Sequence, residues 1–119
     1  MSDFRMGAGE LRFADLIWEN EPISSGALAK LALEHIGWKK TTAYTVLKRL
    51  CDRGLFQNIE GVVTSVMSKE TYYARHSQLY VQETFHGSLP AFLAAFGSRQ
   101  KLSQEEIEQL QKLIDDMRG

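Results

Sequence analysis

Between Gly37 and Gly54 the sequence places five cations, Lys39, Lys40, Lys48, Arg49 and Arg53, against one carboxylate, Asp52. Thr41, Thr42, Tyr44 and Thr45 stand among them. Ammonium and guanidinium groups meet phosphates, while hydroxyls and small apolar groups meet base edges. The mixture suits non-covalent readout of a nucleic-acid duplex, provided one element presents it. A helix would do so. Ala43, Val46, Leu47 and Leu50 fall at i, i+3, i+4 and i+7 and would turn inward. Thr42, Tyr44, Thr45, Lys48 and Arg49 are then left on the outer and flanking faces. Lys39 and Lys40 precede the helix, where free N–H groups also favour phosphate, and Thr41 or Thr42 is the expected cap. The expected contact set is Lys39, Lys40, Thr41, Thr42, Tyr44, Thr45 and Lys48. Arg49 and Arg53 are expected to touch the duplex backbone or form local ion pairs. The plainer alternative is a solvated, charged helix face.

The charge is local. The chain of 119 residues has net charge −1, so the segment stands out against a neutral to acidic remainder. Other chemistry finds no residues. Cys51 is the single cysteine, which excludes an internal disulfide and any multi-cysteine metal site and fits a reducing, cytoplasmic home. On its helix flank Cys51 is expected to behave as a small buried hydrophobe. His35, His76 and His86 lack the i, i+4 spacing of a helical zinc site and read as surface or boundary residues. The neighbours Glu105/Glu106 and Asp115/Asp116 point about 100° apart on a helix and do not converge on a substrate. No phosphate loop, nucleophile elbow or triad order is present. No enzyme, metal or cofactor is therefore expected. No run approaches the roughly 20 apolar residues of a membrane span, and Met1 to Arg5 lack a signal peptide's apolar core.

The elements that would hold this face follow from periodicity and punctuation. A first helix is expected from about Gly9 to Glu19, with Leu11, Ala14 and Trp18 as its stripe and Phe13, Leu16 and Ile17 beside it; Pro22 ends it. A second runs from Ser24 or Ser25 to Gly37, burying Leu28, Leu31, Ala32 and Ile36. The third begins after Lys40 and closes at Gly54. Leu55–Ile59 and Val62–Met67 read as a hairpin around Gly61. Helices follow from about Ser68 to Phe85 and from Ser88 to Phe96, with Pro90 tolerated in the first turn of the latter. A last helix opens with the capping box Ser103-Gln104-Glu105-Glu106, with Leu102 and Ile107 as its staple. The fold class is mainly α with a small β-hairpin wing: a winged helix-turn-helix over residues 1–68, then a helical dimerisation arm over 69–119. Tyr80, Phe85, Phe92, Phe96, Ile107, Leu110, Ile114 and Met117 give so short an arm more apolar surface than it can cover. A second copy of the chain is the economical cover.

The chain also resembles the penicillinase-repressor family of bacterial regulators, over about Met6 to Met117. The resemblance rests on four segments in order. Glu10, Phe13 and Leu16-Ile17-Trp18 are similar to the family's opening motif, and Lys40 through Leu50 to its recognition helix. Arg53-Gly54-Leu55 is similar to the turn that follows, and Lys101 through Ile107 to the start of the final helix. It implies a homodimeric transcriptional repressor that reads a palindromic DNA operator. In some members a membrane-bound sensor's signal leads to proteolysis in the arm; the matching bond would lie near Ala95 and Phe96. Two features depart from the family. The copper-responsive relatives end in a cysteine-rich metal site, whereas this chain ends Asp116-Met117-Arg118-Gly119. The wing, Glu60 to Val66, has no cation at its tip. A protein-interaction module without sequence-specific DNA binding, and release by a small ligand in place of proteolysis, stay open as alternatives.

Overall fold

The computed structural model describes residues 4–118; Met1 to Asp3 of the N-terminal reading and the final Gly119 lie outside the described residues. Helix α1 spans Ala8–Asn20. Its free N-terminus is served by Glu10, whose Oε1 accepts the Gly7 N–H at 3.0 Å. Phe13, Ala14 and Ile17 bury, while Leu11, Leu16 and Trp18 pack half-buried beside them, so the stripe is centred one residue from the expected one. Helix α2 spans Ser25–Ile36; Ser24 caps it by accepting the Ala27 N–H at 3.1 Å, and Gly37 ends it at φ 78°. That left-handed turn is open to glycine without steric cost.

Helix α3 spans Lys40–Asp52. The expected cap at Thr41 or Thr42 is corrected: Lys39 holds the cap position without a side-chain bond, and both threonines lie inside the first turn. Ala43, Val46, Leu47 and Leu50 are all buried, as the spacing predicts.

The wing is also larger than a hairpin. Strands β2 (Phe56–Ile59) and β3 (Val62–Ser65) pair around Glu60 and Gly61, both at positive φ. A third strand, β1 (Ile23–Ser24), pairs with β3 on its other edge, giving the order β1-β3-β2. The Ser25 N–H donates to the Gly61 carbonyl at 2.8 Å, so the wing turn is tied to the start of α2. Glu21 ties the other end, accepting the Ser65 N–H at 2.8 Å and its hydroxyl at 2.9 Å.

Helix α4 spans Lys69–Phe85, α5 Leu89–Gly97 and α6 Gln104–Met117. Ser88 caps α5, and the Ser103–Glu106 box caps α6 in both directions at 3.1 Å. Two compact units divide the chain inside α4, one ending at His76 and the other beginning at Ser77. The first runs past the expected boundary at Ser68 because Tyr72 belongs to its core. Tyr72 is fully buried and within 5.9 Å of the Trp18 and Phe4 rings. Its hydroxyl accepts the Met6 N–H at 2.9 Å and lies 3.3 Å from His76 Nδ1. Asp15 meets Lys69 at 3.1 Å beside it. The Asp15 hydrogen bond and charge hold the Lys69 pKa above its ordinary value. Among the described residues the first unit thus has a continuous apolar interior, from Met6 to Tyr72. Among its described residues the second unit has none that is buried.

Tyr72→Phe keeps the ring and leaves the Met6 N–H without its partner. A buried donor so stranded costs about 1–3 kcal/mol. Urea unfolding of the variant is expected to show a lower midpoint at unchanged slope. Leu50→Ala, which opens a cavity under α3, is expected to cost about 2–5 kcal/mol in the same assay.

Candidate nucleic-acid interface

With its inner stripe sealed, α3 leaves Thr41, Thr42, Thr45, Lys48 and Arg49 exposed, together with Lys39 and Lys40 at its start. Tyr44 departs from this pattern. Its ring is half-buried against the core, with the Lys40 ammonium 5.8 Å from the ring centroid. Its length lets a residue on the flank of the helix reach inward. The Thr45 hydroxyl donates to the Thr41 carbonyl at 2.9 Å. That bond occupies its proton and leaves the methyl as the outward apolar group.

The cations sort into two kinds. Lys48 meets Asp52 at 2.9 Å, with the two side chains 77% and 65% exposed. Such a surface pair is worth at most about 1 kcal/mol, so an incoming phosphate displaces it readily. Arg49 and Arg53 turn instead toward α1. Glu10 Oε2 lies 3.3 Å from Arg53 and 3.8 Å from Arg49. Arg53 also donates to the Arg5 carbonyl. The local ion pairs expected of these two arginines are formed, and their task is to fix α3 on α1. Glu10 therefore serves two helices at once, capping α1 and anchoring the C-terminal end of α3. Its pairing with Arg53 joins residues 43 apart in the chain, a separation at which no periodicity signals the partner.

Cys51 is half-buried. Burial raises its pKa above the ordinary thiol value, the Asp52 charge adds to that, and Lys48 opposes it. The thiol form, which is a poor nucleophile, prevails at neutral pH. His35 and His86 are exposed, and His76 sits against Tyr72. Among the described residues no three His, Cys, Asp or Glu side chains converge as a metal site, and no helix is long and apolar enough to cross a membrane. On the wing, Ile59 and Val62 face each other across the strands and are exposed, with Glu60 at the turn.

The residues expected in the arm divide by depth. Phe85, Phe92, Ile107 and Leu110 are half-buried, while Tyr80, Phe96, Ile114 and Met117 are exposed. The Tyr80, Phe85 and Phe92 rings form an edge-to-face cluster at 5.6–6.0 Å between centroids. Phe92, Phe96, Leu102, Leu110 and Leu113 line a groove of about 410 Å³ between α5 and α6. Ala95 and Phe96 are both exposed on the intact helix α5.

Comparison with known proteins agrees with this arrangement. The family model described as penicillinase repressor matches residues 6–116, a span that includes the winged helix and all three arm helices up to the last turn of α6. The penicillinase repressor of Bacillus licheniformis is 26% identical over 111 residues, covering 90% of this chain and 87% of that protein. The architecture built above, with its polar helix face and its three-stranded wing, is thus that of a winged helix in a known lineage: the chain belongs to the penicillinase repressor family, a family of DNA-binding transcriptional repressors.

Proposed function

We propose that the chain is a cytoplasmic homodimer whose two α3 helices read the halves of a two-fold-symmetric operator, and whose arm helices join the protomers. The observation that carries the reading is the partition of α3. One face is sealed at four positions, and the other presents Thr41, Thr42, Thr45, Lys39, Lys40 and Lys48 together. Lys39, Lys40 and Lys48 meet phosphates; the Thr45 methyl and the Thr42 side chain meet base edges; the Tyr44 hydroxyl reaches the groove from the flank. Two such helices engage successive major grooves, about 34 Å apart.

The arm supports the dimer by what it leaves uncovered. Leu113, Ile114 and Met117 are 51%, 53% and 73% exposed on one side of α6, although the helix is firmly capped. Surfaces of this kind mark interfaces. Release by proteolysis near Ala95 and Phe96 fits the same unit. An intact helix resists cleavage, but α5 has no buried residue and opens at low cost. A protease answering to a sensor would act there. A second reading, docking of an acidic protein on α3, draws on the cation-free wing turn at Glu60 and Gly61.

Selection of bound fragments from random duplex DNA is expected to enrich sites with dyad symmetry. Retardation that vanishes with competitor DNA near physiological salt would instead favour the acidic-partner reading. Thr45→Ser keeps the hydroxyl and removes the methyl. It is expected to relax preference at one base pair by about 1 kcal/mol, the worth of one apolar carbon taken from water, and Thr45→Ala is expected to do at least as much. Full specificity in Thr45→Ser would exclude a methyl contact. Lys40→Ala is expected to weaken all sequences alike and to lower the slope of log affinity against log salt by about 1 per protomer. Leu113→Glu combined with Met117→Glu is expected to sediment as a monomer; an unchanged dimer mass would move the interface away from α6.

A further inference from the structure

Leu33 stands apart from the other apolar residues of α2. Leu28, Ala29 and Ala32 bury inward, while Leu33 is 59% exposed. It lines a crevice of about 490 Å³ between α2 and the first residue of α3. That volume lies in the range of small-molecule sites. Ala27, Ala29 and Leu33 make the walls largely apolar, and Lys30, Lys40 and Ser24 supply the polar groups. The Ser24 oxygen already accepts the Ala27 N–H, which leaves the hydroxyl proton for another acceptor. None of the lining residues is acidic.

An apolar wall beside two lysine side chains, with no acidic residue in the lining, fits one class of small molecule. The body is a hydrocarbon or aromatic ring that covers Leu33. The head is a single carboxylate held by charge-assisted hydrogen bonds from the lysines. We propose that this crevice binds a small amphiphilic carboxylate, and that such binding excludes DNA because both use Lys40. The exclusion rests on the reading of α3 given above. Lys40 is the first residue of α3, and its ammonium lies over the Tyr44 ring. A carboxylate seated in the crevice neutralises that ammonium where a duplex phosphate would otherwise meet it. A DNA phosphate shares the charge of such a ligand but has no apolar body to cover Leu33.

Titration of the isotopically labelled full-length chain with 1-naphthoate tests the site without DNA. Saturable shifts are expected at the Ala27 and Leu33 amides. Neutral 1-naphthamide should bind at least tenfold more weakly, and acetate should give no saturable shift. Leu33→Gln, on an exposed position outside the DNA-contact set, should abolish the shifts and leave operator affinity unchanged. In operator titrations, naphthoate at ten times its dissociation constant should raise the half-saturating dimer concentration roughly hundredfold, about tenfold for each of its two crevices. Equal binding of the amide, or shifts confined to residues 92–113, overturns the site. Saturable binding with unaltered operator affinity overturns the exclusion. Naphthoate shifts at Ala27 and Leu33 in a chain that recognises no DNA sequence support the crevice and defeat the reading of α3 instead.

Discussion

Burial of Ala43, Val46, Leu47 and Leu50 is the constraint from which the rest of the first unit follows. Four side chains at helical spacing fix the rotation of α3 about its own axis. Once that rotation is set, the identity of every outward residue is set with it. A slip of one position would turn each side chain by about 100° and bring Thr45 or Lys48 against the core, at the cost of burying polar groups without partners. The inner stripe therefore acts as the selector of the outer one.

Rotation alone does not place a helix, and the structure adds two fasteners. Glu10 holds the C-terminal end of α3 through Arg53 and Arg49. The N-terminal segment runs under Arg53 and reaches Tyr72, so that residues 5 and 6, α3 and the start of α4 are bound to the same small region. The wing is fastened in a like manner, with Ser25 bonded to Gly61 and Glu21 to Ser65. Polar bonds at the perimeter thus align elements whose attraction is supplied by the apolar interior.

Much of this was legible in the chain. The inward set of α3, the cap at Ser24 with the stop at Gly37, and the box at Ser103 and Glu106 are local patterns, readable because cause and effect lie within one or two turns. What local patterns do not show is what depends on distant partners. Strand β1 has two residues, too few to show any alternation, and exists because β3 offers it an edge. The Glu10–Arg53 pair and the Tyr72 anchor join residues 43 and 66 apart. Spacing puts Tyr44 among the outer and flanking residues and does not tell that a long side chain on a flank reaches in. Leu33 carried no signal at all, since one apolar residue on a polar face looks like scatter until a crevice is seen beneath it. The arm shows the converse. Its apolar faces were plain, and their depth was not, because depth depends on what covers them.

A unit without an interior of its own has a further property. Residues 77–118 bury no side chain among those described. On the proposed dimer, the arm's folding free energy then includes the logarithm of protomer concentration. Dilution alone would loosen α5 and α6 while leaving the winged helix intact. The amount of chain in the cell would set how much of it is whole, so that scarcity exposes the arm to degradation and abundance shelters it.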